Sequence, residues 1–162
     1  MKAYKLDGTE PIKTVGYYGT PSVSNGVMQC GGGVLSNGFD NTGNWVIEAD
    51  VMFGQQGNDI QIIPSNVTVR DDRCLQIFNS QIARHESSSS YGGNAYAQAV
   101  AIDTWHSFKL TKNGTTFTVE IGGQTASVTW NAQSSSSTLQ IGVDRWQNNY
   151  CARLRNIRVK PL

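Results

Sequence analysis

A chain of 162 residues has room for one domain with a single sizeable core. Only 15% of the residues are charged, the net charge is +1, and 17 glycines stand against 4 prolines. That balance excludes a global field that would draw in nucleic acid or an anionic membrane, and no apolar run reaches spanning length.

No stretch reads as a secretory signal peptide, and none shows the 3.6-residue period of a long helix. Cys30, Cys74 and Cys151 allow at most one internal disulfide and lack metal-ligand spacing. They read as small buried hydrophobes in a reducing compartment.

In chain order, residues 1–40 form an irregular leading segment with short strand pieces at 14–18 and 26–30, and the main body occupies 41–162. Over 45–53 the sequence alternates. Trp45, Ile47, Ala49, Val51 and Phe53 point one way and Glu48 and Asp50 the other, as in a half-buried strand. Shorter strands are predicted at 59–63, 67–70, 73–78 and 81–85. With Asn79-Ser80 as the turn, Ile77 faces Ile82 in the core, and Gln76, Phe78, Gln81, Ala83 and His85 lie outward. Asp59 and Gln61 join that outward set, whereas Arg84 would join it only through a one-residue slip. Asp71-Asp72 does not fit a two-residue loop, so a bulge or longer loop is expected there. The serine runs 87–90 and 134–137 read as mobile loops.

The most explicit stretch is 105–130, three strands joined by turns at Asn113-Gly114 and Gly122-Gly123. Two-residue loops at both would pair Leu110 with Phe117 and Val128, and Phe108 with Val119 and Ala126. One face of the meander is then apolar and the other, carrying Ser, Thr, Lys and Glu, is polar. A strand at 139–143, a loop at 144–149 and a last strand at 150–159 follow. In that strand Leu154, Ile157 and Val159 break alternation and predict a bulge. About a dozen short strands with frequent turns argue for an all-β, two-sheet antiparallel sandwich.

The succession of the 45–53 strand, Trp105-His106-Ser107-Phe108-Lys109-Leu110, the Asn-Gly hairpin, Leu139-Gln140-Ile141-Gly142 and Leu154-Arg155-Asn156-Ile157-Arg158-Val159 resembles the concanavalin A-like jelly roll of laminin G-like domains and many carbohydrate-binding modules. The asparagine- and glycine-rich run 38–45 is similar in style to modules appended to bacteriophage tail and baseplate proteins. That second resemblance implies a virion or cell-surface location, a larger multidomain parent, and adhesion to a bacterial cell-wall or surface polysaccharide. Neither a nucleic acid nor a membrane is expected as partner.

Glycanases of this fold carry Glu-x-Asp-x-x-Glu on one strand, which supplies the two carboxylates of glycoside hydrolysis. Glu48 and Asp50 begin that pattern, but Phe53 stands where the second glutamate belongs and cannot transfer a proton. A non-catalytic module is therefore expected. The alternatives are a structural or oligomerisation domain without ligand and a glycan hydrolase of the same fold. Sugar recognition asks for an aromatic face and planar polar groups. The candidates are Asp59, Gln61, Gln76, Gln81 and His85 on one sheet, with Tyr91, Arg145, Trp146 and Asn148 in neighbouring loops. The meander's polar face, without an aromatic, reads as the back of the molecule. No cofactor or metal is expected. Calcium occurs in some proteins of this fold, and Asp71-Asp72 or Asp144 with Asn148 would be its oxygen donors.

Overall fold

The computed structural model of the chain describes residues 1–15, 20–29, 31–54, 58–69, 72–144 and 151–162. The leading segment contributes β1 (Lys2–Ala3), β2 (Ile12–Thr14), β3 (Ser22–Ser24), β4 (Val27–Gln29), β5 (Gly33–Leu35) and β6 (Phe39–Asp40). The main body supplies β7 (Trp45–Met52), β8 (Asp59–Pro64), β9 (Cys74–Phe78), β10 (Gln81–Ser87) and β11 (Ser90–Ala95). After these come β12 (His106–Asn113), β13 (Thr116–Ile121), β14 (Gln124–Thr129), β15 (Thr138–Asp144) and β16 (Arg153–Pro161).

The strands build two sheets. The meander sheet runs β14-β13-β12-β7-β16-β4-β3, with β1 on β16. The facing sheet runs β11-β10-β9-β8-β15-β5-β2, with β6 on β15. All the pairings among the described residues are antiparallel, and the two sheets stack as the predicted jelly-roll sandwich. The leading segment is divided between both sheets.

Alternation decides which side chains enter the core. On β7, Trp45, Ile47, Ala49 and Val51 are buried against the facing sheet, whose Ile60, Ile62, Leu75, Ile77 and Ile82 point back at them. Four aromatic rings run through that interior. Phe39 meets Trp45 with centroids 5.0 Å apart, Trp45 meets Phe117 at 5.8 Å, and Phe117 meets Trp130 at 5.3 Å, all edge to face.

The second turn of the meander is as expected. Gly122 and Gly123 have φ of 54° and 78°, the two positive values of a type I′ turn, and Phe117 pairs with Val128. The first turn differs by two residues. The loop is Gly114-Thr115, so Leu110 pairs with Val119 and Phe108 with Ile121. Only Gly114, at φ 60°, carries a positive angle, which fits a type II′ turn. Tertiary contacts select this register. Asn44 Oδ1 accepts from the Gly114 amide at 2.9 Å, and the inward Lys112 gives its ammonium to the carbonyls of Asn41 and Gly43 at 3.0 and 2.6 Å. A shift of two preserves the faces, so the predicted apolar face is the buried one.

Other local expectations are corrected. The 67–69 stretch is not a strand: it follows a turn at 65–66, closed by the Val67 amide donating to the Pro64 carbonyl. The first serine run closes the β10–β11 hairpin, in which Ser87 pairs with Ser90. The second lies partly in a 3₁₀ turn at Ala132–Ser135. Cys151 is disulfide-bonded, contrary to the expectation for all three cysteines. Cys74 is buried beside Val15, Val34 and Ile63 as that expectation held, and Cys30 lies outside the described residues. The bulge predicted on β16 falls between Arg155 and Arg158.

Phe117 is fully buried between two indoles. Phe117→Ala is expected to destabilise the fold by about 3–5 kcal/mol in chemical denaturation. The exposed neighbour Thr116→Ala should change stability by less than about 0.5 kcal/mol.

Candidate functional site

The outward side of the facing sheet gathers polar side chains that the chain order scatters. On β8, Asp59 and Gln61 alternate with the core residues Ile60 and Ile62. Gln61 pairs with Gln76 on β9, Gln76 with Ala83 on β10, and His85 with Tyr91 on β11. On the other flank Asp144 of β15 pairs with Asp59, and Gly142 with Gln61. Gly142 has no room for a side chain, because a Cβ there would lie 1.9 Å from the Gly33 carbonyl oxygen.

Hydrogen bonds link these groups into one relay. Asp59 Oδ2 accepts from Gln76 Nε2 at 2.9 Å and from Gln61 Nε2 at 3.3 Å. Gln76 Oε1 then stands 3.0 Å from His85 Nε2. An ionised carboxylate only accepts, so Asp59 fixes which end of the Gln76 amide turns to the ring. The amide oxygen faces the imidazole, His85 Nε2 is therefore the donor, and the basic nitrogen of the neutral ring is Nδ1. Tyr91 packs on that ring with centroids 4.9 Å apart. Gln81 Nε2 donates to the phenolic oxygen at 3.1 Å, which directs the phenol's own proton elsewhere. Behind the ring, Trp130 Nε1 donates to the His85 carbonyl at 3.0 Å and pins β10 to the aromatic core.

Exposure sorts these groups by what each can do. Asp59 and Gln61 are 0% exposed and Gln76 is 4% exposed, whereas Tyr91 is 54% exposed. The acid and amides are orienting groups, and the phenol, backed by the imidazole, meets solvent. An amide oxygen of Gln61, buried and without a hydrogen-bond partner, lies in the same cluster.

Of the predicted site residues, Asp59, Gln61, Gln76, Gln81, His85 and Tyr91 come together here. Arg145, Trp146 and Asn148 lie outside the described residues, as does Asp71. Tyr91 belongs to strand β11 and not to a loop. Arg84 undergoes no slip: its Nε donates to the Thr129 carbonyl at 2.6 Å on the opposite side of β10. Gln140, buried on β15 with Nε2 donating to the Ser36 carbonyl at 3.0 Å, escaped the sequence reading, although it alternates with Gly142 and Asp144. Among the described residues no group of three acidic, His or Cys side chains is placed to hold a metal ion.

The meander's outward face also departs from expectation. It carries an open groove of about 1020 Å³ whose wall includes Trp105, so the face is not without an aromatic. Glu48 and Asp50 lie on this face, and Phe53 is fully buried in the core, far from any role beside them.

No protein-family model and no curated protein sequence matches the chain. Solved structures do match its fold. A candidate glycosyl hydrolase from Parabacteroides distasonis is similar over 100% of both chains, with a TM-score of 0.67 and 12% identity. The alginate lyase A1-II', a member of polysaccharide lyase family 7, is similar over 90% of this chain and 86% of its own, with a TM-score of 0.53 and 13% identity. A variant of that lyase with a histidine and a tyrosine replaced, in complex with a substrate, is similar over 88% and 82%, with a TM-score of 0.56 and 12% identity. At such identities the likeness establishes the fold. The expectation of a non-catalytic chain is contradicted by these likenesses, which include alginate lyases and a candidate glycosyl hydrolase. The missing Glu-x-Asp-x-x-Glu excludes one chemistry and not catalysis. The phage-tail resemblance finds no support in these likenesses.

Gln76→Leu removes both links of the relay at similar volume. The ring ¹⁵N resonances of His85 are expected to leave the single Nε2–H tautomer for a mixture. Stability should fall by about 1–3 kcal/mol as Asp59 loses a donor. An unchanged ring spectrum would show that the amide does not set the tautomer.

Proposed function

We propose that the protein processes a polysaccharide that contains uronic acid, and that it cleaves the chain by β-elimination on the outward side of the facing sheet. The observation that carries this reading is the relay from Asp59 through Gln76 to His85, with the exposed Tyr91 packed on the imidazole. Hydrolysis would call on two accessible carboxyl groups. On this face the carboxylates of Asp59 and Asp144 are 0% and 1% exposed, while the group that reaches solvent is a phenol.

Elimination needs what is present. The C5 proton of a uronate is acidic because it lies next to the carboxylate, and its removal builds negative charge there. The Tyr91 oxygen, beside His85, enters as phenolate, takes the proton from C5 and gives that same proton to the bridging oxygen at C4, which regenerates the phenolate. The C5–H and C4–O bonds break, a C4–C5 double bond forms, and a new reducing end leaves. Gln81, donating to the phenolic oxygen at 3.1 Å, orients that oxygen for the transfer. The fold shared with alginate lyases, one of them a variant in which a histidine and a tyrosine are replaced to give a substrate complex, supports the same assignment.

Incubation with alginate, pectate and glucuronan, followed by ultraviolet absorbance, should show the unsaturated product from at least one polymer. Tyr91→Phe should lower the rate by about 10²–10⁴-fold while binding persists. Reducing ends without the unsaturated chromophore would replace elimination with hydrolysis. No cleavage of any uronate polymer would refute the proposal.

A further inference from the structure

We propose that the groove on the outward face of the meander sheet is a second saccharide-binding surface, which takes a chain bearing sparse carboxylates. It rests on the proposed function only for the choice of polymer. The groove crosses β14, β13, β12, β7 and β16 on the opposite side of the sandwich from the relay. Strands pack about 4.8 Å apart, so five of them give a trough about 19 Å long.

Its charges are balanced except at one point. Lys109 pairs with Glu120 at 2.8 Å and Lys160 with Glu48 at 3.3 Å. Asp50 takes Arg155 at 3.2 Å and the Asn156 amide at 2.7 Å. Each of the three carboxylates thus has its cation. Arg158, exposed in the same groove, makes no ion pair or hydrogen bond among the described residues.

Its outward aim is a product of the bulge. Asn156 adopts φ 56° and takes up one extra residue, which returns Ile157 to the core and turns Arg158 out opposite Glu48. Trp105 forms the aromatic wall. Its indole is held by the Arg155 guanidinium, 3.9 Å from the ring centroid, so the platform is fixed before any ligand arrives.

These features select the occupant. An indole wall suits the apolar side of a pyranose ring, and the planar guanidinium of Arg158 suits a sugar carboxylate in bidentate contact. A densely charged polyanion would meet the three carboxylates, and a neutral glycan would leave Arg158 without a partner. A uronate-bearing chain satisfies both the indole wall and Arg158.

The test uses the full chain carrying Tyr91→Phe, so that turnover does not interfere. It is titrated with alginate oligosaccharides and, separately, with neutral cello-oligosaccharides, and followed by calorimetry and indole fluorescence. Trp105→Ala in this background is expected to weaken uronate binding by about tenfold. Arg158→Gln should weaken it about fivefold and flatten its salt dependence. If Trp105→Ala fails to fold, the exposed Arg158→Gln decides the matter alone. Retention of full affinity by both variants, with loss on His85→Ala, would place all binding at the relay and overturn the proposal, as would the absence of any binding. Trp105-dependent binding by a chain that cleaves no polymer would sustain this surface while removing the elimination reading.

Discussion

The structure depends on a run of four aromatic rings, Phe39, Trp45, Phe117 and Trp130, packed edge to face through the middle of the sandwich. Each ring comes from a different part of the chain: the leading segment, the first long strand, the centre of the meander and its exit. Their contacts join elements far apart in the chain inside one continuous core. Edge-to-face geometry is directional where aliphatic burial is not, so the column fixes how the two sheets sit as well as that they stack.

The last ring of that column reaches the site. Trp130 gives its indole N–H to the carbonyl of His85, so the imidazole stands on a strand tied to the core. In front of it the fully buried Asp59 orients two amides, and one of these orients the ring. A buried carboxylate is costly unless it is hydrogen-bonded, and here its bonds are the means by which the amides are aimed. Fold and site therefore meet on β10: Trp130 ties the strand to the core, and Gln76, held by Asp59, sets which ring nitrogen donates.

Much of this was legible in the residues. Period-two alternation identified the core of β7, the β9–β10 turn and the apolar face of the meander, because side-chain parity survives even when a hairpin shifts by two, as at Gly114-Thr115. The polar set Asp59, Gln61, Gln76 and His85 was legible for the same reason. Its burial was not, since nothing local reports what covers a sheet face. Trp105 was not among the candidate residues. Its place follows from alternation with Ser107 and Lys109, but its role depends on Arg155, which lies 50 positions away in sequence and is brought near only by β16 pairing with β7. The relay itself was not legible, because the search was for two carboxylates on one strand, and groups drawn singly from four strands leave no such spacing.

The side where β14 and β11 end their sheets has a consequence of its own. There Arg84 and Asn94 of the facing sheet donate to the Thr129 and Ser127 carbonyls, while Glu86 accepts from the Asn131 and Ala132 amides. Backbone groups that would otherwise form an open ladder are already engaged by side chains of the opposite layer. An unpaired edge strand is a template on which a foreign strand can grow. Here the Ser127 and Thr129 carbonyls are already occupied, so an incoming strand would find two of the acceptors along β14 taken by side chains and not guarded by prolines or lysines.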